Sequence, residues 1–371
     1  MPKSLRNLLT RHQVMASAPC RIDAGGTWDI KAMALPFERL RPITVNIALD
    51  LRTSVVLSPY KDGWVKISSD GFLPGESFSK DQLPLTPPFG LFFAAASYFD
   101  AHGMAIEIRS QSPVKSALGG SSTALVALIK ALSKVAGGKK MSAKKILHLA
   151  YHLEDGISGG NCGIQDHAAA VYGGVSQWEW RYGQRTAPFE RMALLDREGQ
   201  KELSKRLLVA YSGKSHVSST TNRKWIEGFL SGRTRSGWLK VNEIVYNLAR
   251  AIKELDWGRA AGFLQDEMAL RRELTPEALI PIIEKMVSQA EHAGCGSRFA
   301  GAGAGGSLWA IGETGDIQRL KRVWEKTLSP VKEGRILDCE VDSWSQVKDT
   351  RPEDVALRKP HRGAGTSLYM I

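Results

Sequence analysis

The sequence predicts a protein of the α+β class folded into two domains, and two observations carry that expectation, with a third pointing to a site. Segments of strand period and segments of helix period come in runs, without the regular βαβ alternation of a parallel sheet. The 371 residues exceed the usual size of one simple domain. A run of small residues, Gly119-Gly-Ser-Ser122, leads straight into an amphipathic helix, which is how a phosphate site is built.

The elements follow in order. Met1 to Met15 carry Lys3, Arg6 and Arg11 with no acidic residue and lack the continuous apolar core of a secretory signal, so a frayed, solvated start is expected ahead of an organelle transit peptide. Ile43, Val45, Ile47, Leu49 and Leu51 alternate with polar or small residues, and Val55 and Leu57 keep the phase, giving a long half-buried strand. Trp64–Ser68 and Ala105–Arg109 read as further strands. Phe89–Phe99, the longest apolar run, is too short to span a bilayer as a helix and reads as core.

Between Thr123 and Val135 the period changes to that of a helix, with Leu125, Leu128, Ile129 and Leu132 on one face and Gly137 as a stop. Ser142 caps a second helix carrying Ile146, Leu149, Ala150 and Leu153. Arg181–Lys201 is the weakest-patterned zone and the expected junction, dividing residues 1–195 from 196–371. Beyond it come a strand at Leu207–Tyr211 and a helix with the stripe Val241, Ile244, Val245, Leu248 and Ile252. Thr275-Pro276 opens another helix with a cap and a first-turn proline. Strands at Ser307–Ile311 and Arg335–Val341 flank a helix near Ile317–Leu328. The tail from Thr350 to Ile371 reads as a solvated arm or a partner contact.

Composition narrows the function. The formal charge of +12 raises nucleic acid as a partner, but the Lys and Arg residues are interspersed with acidic ones. The densest patch, Lys214, Arg223, Lys224, Arg233, Arg235 and Lys240, contains no nucleic-acid-binding signature. A surface that draws in anionic nucleotides and sugar phosphates is the economical reading, with no nucleic-acid or membrane partner. Cys20, Cys162, Cys295 and Cys339 stand singly, without zinc-ligand spacing, which suits a reducing, cytoplasmic setting.

In the run Pro113 to Thr123, backbone N–H groups and the positive end of the following helix converge on one place, an anion site. Gly119 and Gly120 let the backbone approach a phosphate closely, and Ser121 and Ser122 add hydroxyls able to bond phosphate or ligate magnesium. A plain serine-capped helix would explain one Ser but not Gly-Gly-Ser-Ser. Gly301–Gly306 lacks the following helix of a dinucleotide fingerprint and reads as a tight loop packed on a ligand or on other backbone. Gly213-Lys-Ser215 misses the glycine of a Walker A loop, because position 208 is Leu.

Three segments, Ala18-Pro-Cys-Arg-Ile-Asp-Ala-Gly-Gly-Thr-Trp-Asp29, Pro113–Ala124 and Phe299–Ser307, resemble the GHMP kinase family in order and spacing over most of the chain. A fourth, Gly160-Asn-Cys-Gly-Ile-Gln-Asp-His167, is similar to the base-bearing loop of its sugar-kinase branch, and the first looks most like the fucokinase and heptose-7-phosphate kinase group.

The resemblance implies a ribosomal-S5-like N-terminal domain and a ferredoxin-like C-terminal domain with the active site between them. It implies that Ala117, Leu118, Gly119, Gly120, Ser121 and Ser122 hold the phosphates of ATP, and that Ser121 and Glu154 hold Mg2+. Asp166 would face the acceptor hydroxyl, with Arg21 on the transferred group or the substrate. Gly26, Asp29, Ser212, Gly303 and Gly305 would line the substrate, and Lys214 and His216 could join them. Taken by their residue types alone, Glu154 reads as a surface carboxylate, Asp166 as a helix-start cap, Arg21 as a surface ion-pair partner and His167 as a packed or capping residue.

Two departures stand out in the phosphate loop: Ala117 where the family usually shows Gly, and Gly120 where it usually shows Ser or Thr. The first is harmless only if φ at Ala117 is negative. The first segment is also one residue short between Asp23 and Gly25, which leaves the register of Asp29 open. The expected activity is magnesium-assisted transfer of the γ-phosphoryl of ATP to a hydroxyl of a sugar or sugar phosphate, by a monomer or homodimer. A non-sugar alcohol such as a mevalonate derivative is the rival acceptor, and a silent sugar- and nucleotide-binding regulator is the rival function.

Overall fold

The computed structural model describes residues 3–136, 141–215, 218–342 and 355–358. Alternation of apolar and polar residues builds the first sheet around one long strand, Ile43–Pro59. Its neighbour Gln13–Ala24 runs antiparallel beside it, with a register shift between Pro19 and Cys20. The two halves of the long strand take different partners on the other edge. Ile43–Ile47 pairs with Val175–Trp180, and Thr53–Pro59 pairs with Met104–Ser110. Met104–Ser110 then lies parallel to Trp64–Ser69, which pairs with Phe72–Ser79.

The helices Gly120–Val135, Ala143–Ile157 and Gln165–Tyr172 pack together, and Gly120–Val135 lies against the two central strands. Leu125, Leu128, Ile129 and Leu132 are fully buried, and so are Val126, Ala127 and Ala131 between them, so the helix is buried all round and not along the predicted stripe alone. The Ser142 side chain accepts from the Lys145 N–H, capping its helix as expected.

The second sheet is antiparallel, in the order Gly296–Phe299, Ser307–Ile311, Leu207–Tyr211, Arg335–Leu337. The helices Arg235–Lys253, Trp257–Leu274, Pro281–His292 and Thr314–Leu328 accompany it. One core cluster joins Ile22, Trp28 and Ile47 of the first half to Trp238, Leu264, Trp309 and Trp324 of the second, so the halves share a continuous apolar interior. Among the described residues no helix is long and apolar enough to cross a membrane.

Several expectations need correction. The chain start is packed: Lys3–Ser4 pairs with Ala101–His102, and the helix Arg6–Arg11 buries Leu9 while Leu5 is buried at its start. Thr275-Pro276 opens only the single turn Pro276–Ala278. The long helix starts at Pro281 instead, because Ile280 before it is extended, the conformation a following proline favours. The strand at Arg335 stops at Leu337, where the chain turns back: Glu340 exchanges hydrogen bonds with Asp50, and Val341 bridges to Leu49 of the first sheet. Of the tail, Val355–Arg358 forms a strand beside Gln13–Ala24, and its other residues lie outside those described.

Candidate active site

A cleft of about 490 Å³ opens along the edge where the two halves meet, lined from both of them. The Gly119–Ser122 loop enters it at the start of the helix Gly120–Val135, whose N-terminus has no side-chain cap. Uncapped N–H groups at a helix start, together with the helix dipole, suit a phosphate. Gly119 supports this turn with φ +77°. Gly119, Gly120, Ser121 and Ser122 all line the cleft, and so does Ala117; Leu118 is fully buried beneath, its carbonyl accepting from the Arg21 N–H.

Ala117 has φ +63°, so the condition for a harmless alanine fails there. Its Cβ carries the strain that a glycine would avoid, of order 1–3 kcal/mol. Gly306 packs directly against that methyl group.

Arg21 and Asp166, 145 residues apart, meet in the cleft. The Arg21 Nε donates to Asp166 Oδ1 at 2.8 Å, its Nη2 lies 2.6 Å from the same oxygen, and its Nη1 donates to the Ala117 carbonyl at 2.7 Å. Burial works against the Arg21 charge, but the carboxylates of Asp166 and Asp23 outweigh it and raise its pKa further above the usual range. Asp166 Oδ2 takes no hydrogen bond among the described residues, and the Asp166 side chain keeps 22% exposure. A Cβ at Gly119 would sit 3.1 Å from that oxygen, so the carboxylate and the Gly119–Ser122 turn face the same small volume.

Glu154 arrives from the helix Ala143–Ile157. Ser121 Oγ donates to its Oε1 at 3.2 Å and Ser122 Oγ to its Oε2 at 2.7 Å, while His167 Nε2 lies 2.6 Å from Oε2. Burial pushes the Glu154 carboxyl up, but the imidazole and the two hydroxyls outweigh it and hold it below the usual range. The pair fits Mg2+ by donor chemistry: both are oxygens, and their 3.2 Å separation is close to the ~3 Å edge of an octahedron with bonds of ~2.1 Å.

Asp29 lines the cleft but is buried and turned inward, accepting from the Thr27 and Gln165 N–H groups at 3.1 Å each. A Cβ at Gly163 would fall 1.9 Å from its Oδ2, so only glycine lets the 163–165 loop close over this carboxylate. Burial, with Asp166 and Asp23 adding repulsion, raises the Asp29 carboxyl to about 6. Gly26 also lines the cleft.

Gly303, Gly305 and Ser212 do not line it. Gly303 packs closely on Ala278 and Gly305 on the Lys214 and Ser215 carbonyls, which is the other-backbone form of the tight glycine loop. The Ser212 N–H donates to the Gly306 carbonyl, and Gly301 and Ala302 face the cleft in their place. Lys214 is exposed, and His216 lies outside the described residues.

The largest omission from sequence reasoning is the support beneath the site. Arg298, fully buried, donates from Nη1 to Asp23 Oδ2 and from Nε to Glu267 Oε1, and Arg271 joins Glu267 while donating to the Gly26 carbonyl. Asp23 Oδ1 in turn accepts from the Gly301 N–H. Burial pushes the Asp23 carboxyl up, but Arg298, Arg21 and the Gly301 N–H prevail and hold it below the usual range. Arg21 and Asp23 are two apart on one strand and therefore share a face, which was the available signal. Nothing in the spacing pointed to Glu267 or Arg298.

The family profile described as GHMP kinases N terminal domain matches residues 90–174, and that described as GHMP kinases C terminal matches residues 248–329. A mevalonate kinase of Thermococcus onnurineus is 25% identical over 329 residues, covering 81% of this chain and 89% of that protein. A bifunctional fucokinase/GDP-fucose pyrophosphorylase of Arabidopsis thaliana is 23% identical over 251 residues, 67% of this chain but 23% of that longer protein. Among solved structures, the Lactococcus lactis galactokinase complexed with galactose superposes with TM-score 0.71 at 15% identity, covering 90% of this chain and 95% of that one. A D-glycero-D-manno-heptose 1-phosphate kinase from Bacteroides thetaiotaomicron gives TM-score 0.66 at 18% identity, covering 88% and 96%. At these identities the structural likeness concerns the fold.

Proposed function

We propose that this chain, which belongs to the GHMP kinases, transfers the γ-phosphoryl group of ATP to a hydroxyl of a sugar or sugar phosphate. The observation that carries the reading is the convergence of Asp166, held by Arg21, with the uncapped Gly119–Ser122 helix start on one cleft.

Phosphoryl transfer needs mainly positioning and neutralisation of charge on the transferred group. The N–H groups of the Gly119–Ser122 turn bind the phosphates, and the Ser121 and Ser122 hydroxyls swing from Glu154 to phosphate oxygens or the cation. Ser121 and Glu154 would hold Mg2+, which when bound neutralises phosphate charge. Asp166 Oδ2 takes the acceptor hydroxyl, orienting it and accepting its proton as the hydroxyl oxygen bonds the γ-phosphorus and the bond from that phosphorus to the β-phosphate oxygen breaks, releasing ADP. Arg21 holds Asp166 through Oδ1 and sets its guanidinium beside the transferred group.

The test is ATP consumption with magnesium against free hexoses, heptoses, their phosphates and mevalonate, run beside Asp166→Asn. Turnover on a sugar or sugar phosphate that falls by roughly 10²–10⁴ in the variant supports the reading. Turnover on mevalonate alone would favour the second reading, an alcohol kinase of mevalonate type, which the 89% coverage of the Thermococcus relative recommends. Nucleotide binding without turnover on any acceptor would sink both.

A further inference from the structure

His167 is a buried titratable group that the proposed transfer leaves unused. Its ring is fully buried in the first turn of the helix Gln165–Tyr172, with Nε2 2.6 Å from Glu154 Oε2. Cys162 stands a few residues earlier in the same loop and lines the cleft. One ligand atom from each of Glu154, Cys162 and His167 lies within 4.8 Å of the others. The fold sets these positions. Ile30 bridges to Gly163, Asp29 accepts from the Gln165 N–H, and Ser122 Oγ donates to Glu154 Oε2.

We propose that Glu154, Cys162 and His167 form a second cation site in the cleft wall, for a borderline-soft divalent ion such as Zn2+, sharing Glu154 with the oxygen pair suited to Mg2+. A carboxylate, a thiolate and an imidazole are a donor set that Mg2+ disfavours and Zn2+ selects. Three protein ligands leave a fourth position open towards the cleft for water or a phosphate oxygen. In a tetrahedral site with bonds of ~2.0–2.3 Å the ligand atoms stand roughly 3.3–3.7 Å apart, so the Glu154–His167 contact, 2.6 Å here, opens by about 0.7–1.1 Å.

As the ion binds, the Cys162 Sγ–H bond releases its proton to solvent and the thiolate becomes the ligand. Without a cation, burial and the surrounding carboxylates of Glu154, Asp166 and Asp29 push this thiol well above its usual range, so it is not a reactive thiolate waiting for an oxidant. A bound divalent charge reverses that balance. Zn2+ on Oε2 draws on the charge of the same carboxylate whose Oε1 faces Ser121, and the two like-charged ions repel, so Zn2+ weakens Mg2+ binding there. The binding claim stands on its own; the inhibition that follows from it rests on the kinase reading.

The test uses the untagged full-length protein with Co2+ as a spectroscopic stand-in for Zn2+. One equivalent is expected to produce a sulfur-to-cobalt charge-transfer band and visible bands of tetrahedral intensity, both displaced by Zn2+. Cys162→Ser, a near-isosteric change at a partly exposed site, abolishes the charge-transfer band. Changes beyond the direct ligands already cost roughly 10–100-fold in metal affinity, so loss of a ligand is expected to weaken Zn2+ binding by ~100-fold or more. His167→Gln weakens Co2+ binding likewise, with thermal unfolding reporting whether that buried change leaves the protein folded.

No charge-transfer band in the unaltered protein would overturn the proposal. So would a band that persists in C162S, which assigns it to Cys20, Cys295 or Cys339. Zn2+ is further expected to slow turnover in competition with Mg2+ in the unaltered protein and not in C162S. A site that binds as described while no acceptor is ever phosphorylated would uphold the site and count against the kinase.

Discussion

Replacing Arg298 with methionine keeps most of the side-chain volume and removes the charge on which the floor of the cleft depends. Arg298 is fully buried, and its Nη1 donates to Asp23 Oδ2 and to the Asp23 carbonyl at 3.0 Å each and to the Phe299 carbonyl at 2.7 Å. Its Nε donates to Glu267 Oε1 at 3.1 Å. Without it, among the described residues, Asp23 retains Arg21 at 3.6 Å and the Gly301 N–H, and Glu267 retains Arg271 at 3.3 Å and the Gly25 N–H. Removing one partner of a buried ion pair costs roughly 3–5 kcal/mol, a large share of a total stability of ~5–15 kcal/mol. With a urea m-value near the upper end of ~1–3 kcal/mol/M for a chain of this length, the unfolding midpoint falls by about 1–1.7 M.

The pH dependence adds a sign. In the unaltered protein Asp23 is held below its usual value, so its contribution is complete above about pH 4 and fades as pH falls through the folded value. In Arg298→Met burial dominates and the carboxyl is raised, so its contribution is complete below about pH 4 and is lost as pH rises. The stability gap between the two proteins therefore widens from pH 4 to pH 7.5. Arg272→Met, which breaks half-exposed pairs to Glu284 and Glu291 on the same helix, serves as the control and costs at most ~1 kcal/mol. A gap below ~1 kcal/mol for Arg298→Met, or one constant across that pH range, would refute the reasoning.

Arg21→Lys keeps a charge but loses the planar fork that reaches Asp166 and Ala117 together; a charged hydrogen bond of ~1.5–3 kcal/mol implies a fall of roughly 10–150-fold in kcat/KM, and full activity would show that a point charge suffices. Ala117→Gly relieves a left-handed alanine at a smaller entropic loss of ~0.4–1 kcal/mol in the unfolded chain, so stability should rise by about 0.5–1 kcal/mol in urea titrations. A fall would mean that the methyl contact with Gly306 outweighs the strain. Asp29, raised to about 6 by burial, favours folding when protonated, so its stabilisation is complete below about pH 4 and is lost by pH 7, a fall of about 3 kcal/mol at ~1.4 kcal/mol per pH unit. Asp29→Asn should remove this slope, while leaving the Thr27 or Gln165 N–H without an acceptor; an unchanged slope would place the titration elsewhere.

Local pattern was enough for many of the elements. Period-two alternation predicted a strand from Ile43 to Leu57, observed as Ile43–Pro59, and helical spacing predicted a helix from Thr123 to Val135, observed as Gly120–Val135, because each follows from which side chains must be buried. It misled at Thr275-Pro276, where a cap and a proline were followed by a second proline that reset the helix start. The loop proposed to bind phosphate was likewise legible in the sequence, since Gly-Gly-Ser-Ser ahead of an amphipathic helix is a local arrangement of N–H groups. Tertiary structure alone decided what that loop faces. Glu154 stands 33 residues from Ser121, Asp166 is 145 from Arg21, and Arg298 is 275 from Asp23. Such pairs are matched by hydrogen bonding and, for Asp166–Arg21 and Arg298–Asp23, by opposite charge, the last of them across the joined halves, and two residues that meet only after folding leave no spacing in the chain to read.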